Sequence, residues 1–191
     1  MKLLDQLHTL IFRGKEYNGS TKIFKYPYSG DIVKKREEIW QNLQNGLLLE
    51  DTGVFVPWTL PFYEVDNIRE QKKERADRTE WYLGKRIILD GYEAQLELMR
   101  WKFIADDKPI KRLSENLGRD EQGLERFNYL REYLTNLFGE PTNVDLQKFG
   151  DADIGSISWE NGDIALSLVG IEHFDLRYTF HIGMKITNAA Y

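Results

Sequence analysis

The densest chemistry in the chain lies in "EHFDLRYTFHIG", residues 172–183, which holds two of the three histidines together with Asp175 and Arg177. Imidazoles beside a carboxylate are the raw material of a zinc site or of an acid–base pair. The spacing argues for something plainer. Phe174, Leu176, Tyr178, Phe180 and Ile182 alternate with His173, Asp175, Arg177, Thr179 and His181, the period of a strand with one buried and one polar face. At about 3.3 Å per residue, His173 and His181 stand roughly 26 Å apart in a straight strand. That is too far to share an ion whose bonds to nitrogen are about 2 Å long, so no metal is expected here. His173, Asp175 and Arg177 are left as a polar strip and as the candidate partner-binding residues. The competing reading is a ladder of cross-strand charge pairs.

A second group is Arg86, Glu93 and Glu97, which a predicted hairpin puts on one face. Paired carboxylates with an arginine suit acid–base work, but charge pairing across strands, worth a few tenths of a kcal/mol each, is the reading that accounts for them better. Trp40, Trp81 and Trp159 fall on predicted core faces, whereas Trp58 and Trp101 are candidates for lining a cleft. His8 sits on the flank of a first helix. "GSISWENG" only approximates the nucleophile elbow, because Ser156 and Ser158 lead into a regular hairpin. "GDADIG" lacks the lysine and spacing of a phosphate loop, and "NLGRDEQG" reads as a helix-capping turn. "DADIG" lacks the oxygen spacing of a helix–loop–helix calcium loop. With no cysteine, disulfides and thiolate metal sites are excluded. No cofactor is expected, although an all-carboxylate magnesium or calcium site stays open.

The elements that must position these residues follow from periodicity. "YSGDIVKKREEIWQNLQNG" predicts a helix capped by Ser29 or Asp31 and stopped at Gly46. "LLLED" and "GVFVPW" predict short strands around a turn at 51–53. Thr59 is placed to cap a helix that takes Pro61 in its first turn. Residues 70–80 carry eight charges in eleven positions and are expected to be solvated. Asp90–Gly91 predicts a two-residue hairpin turn pairing Leu89 with Tyr92, Ile87 with Ala94 and Leu83 with Leu98. Lys85 and Arg100 would then lie at the margins of the apolar face, with Arg86 and Ile88 on the opposite one. "DDKPIKRLSENLGRD" reads as a polar connection. Asp120 is placed to cap a helix to about Phe138, with Phe127, Leu130 and Leu134 in its core stripe. Asn161–Gly162 predicts a second hairpin turn, and Gly170 a reversal into the last strand.

The fold class expected is α+β: antiparallel hairpins or meanders packed against three to four helices, possibly as two similar α+β halves. Length suits a single globular domain, 1–191, with a possible two-lobe division near 105–120. The net charge of −5 opposes nucleic-acid binding and suits a soluble protein that meets a protein with a basic surface. "MKLLDQLHTLIFRGK" reads as an amphipathic helix carrying Leu3, Leu4, Leu7, Leu10 and Ile11, not as a signal peptide. No apolar run is long enough for a membrane helix, so a cytoplasmic location is expected. In acidic balance and layout the chain resembles the small acidic α+β proteins that neutralise bacterial toxins. That resemblance implies a non-catalytic protein-binding role. An enzyme or small-ligand binder with a carboxylate, arginine and aromatic site is the alternative.

Overall fold

The computed structural model describes residues 25–150 and 152–185; the predicted first helix and His8 lie outside them. The chain runs through α1 (Ile32–Leu43), β1 (Gly46–Leu49), β2 (Val54–Pro57) and a 3-10 helix (Phe62–Asn67). It continues through β3 (Gln71–Glu74), β4 (Arg78–Ile88), β5 (Tyr92–Trp101) and β6 (Arg112–Arg119). Then come α2 (Asp120–Phe138), β7 (Asn143–Phe149), β8 (Ala152–Asn161), β9 (Ile164–His173) and β10 (Asp175–Met184). The fold is mixed α+β with antiparallel sheets. Two α-helices and the 3-10 helix are present among the described residues.

β1 and β2 form a small hairpin, and the other strands form one eight-stranded sheet in the order β3-β4-β5-β6-β10-β9-β8-β7. Two consecutive four-stranded meanders are thus joined through their last strands, β6 and β10, which pair antiparallel. One edge, β3, reads Gln-Lys-Lys-Glu, and charged edges discourage pairing with other chains. Residues 70–80 are therefore structured as an edge hairpin with β4 rather than merely solvated.

One face of the sheet is covered. Tyr133 of α2 packs on Tyr92 at 5.5 Å between ring centroids, and Phe127 packs on Tyr178 at 5.3 Å. α1 meets α2 through Trp40 and Phe138, and Phe62 of the 3-10 helix stacks on Trp81. α2 comes close to β6 because Gly123 has no side chain: a Cβ there would stand 2.7 Å from the Gly118 backbone and the Tyr178 ring. Asp31 caps α1 through the Lys34 N–H, as expected, whereas Pro61 rather than Thr59 precedes the 3-10 helix. Asp120 is the first residue of α2, and its N-cap position is Arg119. The α2 stripe is the one its sequence predicts, with Phe127, Leu130 and Leu134 fully buried. Leu134→Ala is expected to destabilise by roughly 2–5 kcal/mol. A loss below about 0.5 kcal/mol in a denaturant melt would mean that this face of α2 does not cover the sheet.

Four strand readings need correction. The first hairpin closes with three residues in left-handed conformations, Leu89, Asp90 and Gly91, so Ile88 pairs with Tyr92 and Arg86 with Ala94. A bulge at Gly84 (φ 80°) then resets the register, returning Leu83 and Trp81 to the covered face. As a result Arg86 and Ile88 point into the covered side. Arg100 is also inside it, its guanidinium over the Phe62 and Trp81 rings and paired with Asp106; the apolar surroundings hold it as a cation–π partner. The second hairpin turns at Gly162–Asp163, pairing Trp159 with Leu166. That shift of two preserves the face. The reversal before the last strand is at Phe174 (φ 68°), not Gly170. The expected polar connection contains β6, whose Leu113, Glu115 and Leu117 are all buried.

Candidate functional site

The uncovered face of the sheet carries no helix among the described residues. Across it runs one row in register over all eight strands: Gln71, Tyr82, Glu97, Ser114, His181, Ser167, Ser158 and Asn143. Every member is polar. Strands stand about 4.8 Å apart, so the row spans roughly 34 Å. Its middle coincides with the weakest junction of the sheet, because β5 and β6 pair at only two positions, Leu96 with Glu115 and Glu97 with Ser114.

On the covered side of that seam, the fully buried Glu115 takes over part of the missing ladder. Its carboxylate accepts the Gln95 N–H at 3.1 Å and the Tyr92 hydroxyl at 2.8 Å, and pairs with Arg126 at 2.5 Å. A polar cleft of about 240 Å³ opens beside it, lined by Lys85, Glu93, Ala94, Gln95 and Arg126. Its lysine is already paired with Glu93 and its arginine with Glu115.

On the open side, Ser114 Oγ lies 2.9 Å from His181 Nδ1. Burial first, and then the positive field of Arg112, hold the His181 imidazole down at about 4 against a usual 6.5. Glu97 is shifted the other way: burial raises it, and the carboxylates of Glu80 and Glu115 add to the effect. One strand, β6, stands between a carboxyl shifted up and an imidazole shifted down. Such divergence marks candidate functional groups. Glu97 and Arg112 make no hydrogen bond or ion pair through their side chains among the described residues. Arg112 lies two residues along β6 from Ser114 on the same face.

The pH behaviour of His181 has a definite sign. Its folded-state value is depressed, so between pH 6.5 and about 4 the unfolded chain binds a proton that the folded chain refuses. The stability it contributes is present above pH 6.5 and lost as pH falls towards 4. Glu97, raised above its usual value, acts in the opposite direction. Comparison with a variant therefore isolates the histidine. Between pH 7.5 and 4.5 the wild type is expected to lose up to roughly 2–3 kcal/mol more than His181→Gln in urea melts. Equal losses in the two proteins would contradict a neutral, buried imidazole.

The residues singled out from sequence are dispersed. Arg86 faces the covered side, near Asp51 and Glu70. Glu93 pairs with Lys85 at the surface. Of that trio only Glu97 stands at the seam. His173 ends β9 in register with Asp175, so it belongs to the strand next to that of His181. Six residues still separate Asp175 from His181, about 20 Å along the strand. Asp175 is paired with Arg177 at 2.6 Å and with Arg119 at 2.7 Å, and these arginines hold its carboxyl below the usual range, the Arg177 hydrogen bond foremost. Trp58 is core, its indole N–H donating to the Leu43 carbonyl at 2.7 Å. Trp101 is half-exposed and stacks on Phe103. Arg112 and Ser114 were missed because β6 reads as a connection. Comparison with family models, curated proteins and solved structures found no match.

Proposed function

We propose that the protein is a non-catalytic binding protein whose recognition surface is the open face of the eight-stranded sheet, centred on the β5–β6 seam. The observation that supports this reading is the set of uncommitted polar groups there. A half-buried carboxyl, Glu97, and a half-buried guanidinium, Arg112, flank the Ser114–His181 pair without side-chain partners among the described residues. Charged groups that have lost part of their hydration without gaining a partner are poor contributors to stability. Their presence on a sheet face that no described element covers fits groups kept for a ligand. The net charge of −5 and the negative surroundings of Glu97 favour a partner that brings a basic group to that carboxylate. The resemblance in composition to toxin-neutralising proteins fits the same reading. The helix-then-meander order of both halves also fits two variations on one α+β unit.

A second reading, acid–base catalysis by Glu97 and His181 with Ser114, is favoured by the 2.9 Å serine–histidine contact. It is the weaker reading for a nucleophilic serine. Ser114 lies within a strand, paired with Glu97 on one side and His181 on the other, and not on a sharp turn that would project its oxygen towards oxyanion donors. Capture from the native host with wild-type protein and Glu97→Lys tests the proposal. A protein or small molecule retained by the wild type and lost by the variant, with both equally folded, is the expected result. Equal retention by both, or none by either, would contradict it.

A further inference from the structure

We infer that the seam site receives a zwitterion, a cationic nitrogen and an anionic oxygen group carried together, rather than a cation alone. This rests on the reading of the open face as the recognition surface and narrows what that surface recognises.

The argument begins with placement. Ser114 is opposite Glu97 on one side and opposite His181 on the other. Arg112, two residues along β6, is therefore a diagonal neighbour of His181, with a Cα separation of about 7–8 Å, and on the Glu97 side it lies on the same face just past the last β5–β6 pair. Glu97 and Arg112 have opposite charges, share a face and are each half-buried. Even so, neither makes an ion pair, with the other or with any third group, among the described residues. Elsewhere on the surface opposite charges at similar spacing do close, as in Lys85–Glu93 at 2.8 Å and Asp175–Arg177 at 2.6 Å. Two charges held apart on one face fit a ligand that supplies an ammonium or guanidinium to the first and a carboxylate or phosphate to the second. The guanidinium can meet such an anion with two parallel hydrogen bonds. Beside them, the Ser114–His181 pair at 2.9 Å adds a hydroxyl and an imidazole whose burial disfavours a positive charge that would repel the cationic end. A lone cation would satisfy Glu97 and leave Arg112 as it is; a lone anion would do the reverse.

The same chemistry has two sources, a free amino acid and a lysine–aspartate pair on a peptide. The full chain, isotopically labelled, is titrated by NMR with glycine, β-alanine, 4-aminobutyrate and 6-aminohexanoate, with the capped dipeptide acetyl-Lys-Asp-amide, and with butylamine and butyrate as singly charged controls. One spacing in the series, or the dipeptide, is expected to shift the amides of Glu97, Arg112, Ser114 and His181. It should bind about tenfold or more tighter than either control. Glu97→Gln and Arg112→Gln, each shown to keep the wild-type spectrum elsewhere, should each weaken it by about tenfold. Binding of the free acids but not the dipeptide identifies a small molecule, and the converse identifies a peptide. The inference is overturned if butylamine binds as tightly as any zwitterion and Arg112→Gln changes nothing, or if no probe shifts those amides. Should that happen while Glu97→Lys still abolishes capture of a host partner, the recognition surface stands and only the zwitterion falls.

Discussion

Alanine at position 115 is expected to destabilise the protein by roughly 3–5 kcal/mol, more than any other single polar substitution proposed for it. Glu115 is fully buried and answers three donors: the Gln95 N–H, the Tyr92 hydroxyl and the Arg126 guanidinium. Truncation leaves the buried Tyr92 hydroxyl and the part-buried Gln95 N–H without a partner, and an orphaned buried group costs about 1–3 kcal/mol. Arg126 contributes less, because 43% of its side chain remains exposed and water replaces the lost partner. Arg126→Ala is destabilising for a different reason, because it takes the counter-charge from a carboxylate with no exposed surface and leaves it two neutral donors, and a loss of about 3 kcal/mol is expected. Guanidinium melts of both variants decide the matter. A Glu115→Ala loss below about 1 kcal/mol would show that water enters the seam and takes over the carboxylate's role.

Trp159→Ala is the second large effect, expected at roughly 3–5 kcal/mol. The side chain is 1% exposed on β8 and fills the covered face beside Leu166. Its indole N–H also donates to the Gly139 carbonyl at 2.8 Å, tying the end of α2 to the sheet. Trp159→Phe keeps most of the packing and removes only that donor, so a loss of about 1–2 kcal/mol is expected. Thermal melts of the pair separate the two contributions. If Phe were as harmful as Ala, the tie to α2 would outweigh the packing.

The readable parts of this fold were those where local chemistry and periodicity agree. α2 is legible because its apolar stripe and the following Gly139 are both contained in one continuous stretch. Both hairpins are legible as hairpins, but their registers are not. Nothing in the order of residues announces that Leu89 adopts a left-handed conformation (φ 51°), nor that Gly84 bulges to cancel the resulting slip. β6 was lost for a different reason. Glu115 interrupts the alternation of Leu113 and Leu117 with a charge, and only the donors from β5 and α2 make that charge tolerable inside. Arg100 misled in the same way: a cation looks marginal until two aromatic rings from other elements enclose it. The polar row is the extreme case. Its members come from eight strands between Gln71 and His181, each a single polar residue in an ordinary alternation. It exists only once eight registers are fixed together. Glu97 stands out in sequence by its charge, whereas its lack of a side-chain partner among the described residues is a property of the assembled sheet.

The union of the two meanders has a kinetic consequence. Within each meander, neighbouring strands are also neighbours in sequence and can zip locally, on the microsecond scale of hairpins. β6 and β10 pair from Arg112 with Gly183 to Arg119 with Arg177, residues roughly 60 to 70 positions apart, so closing that loop must precede any reward from the ladder. The β5–β6 junction, though local, offers only two pairs to hold the first meander in place meanwhile. The slow event is thus the closing of the central ladder with α2 laid across it. The face that carries Glu97, Arg112 and His181 comes into being at that moment, last in the order of assembly.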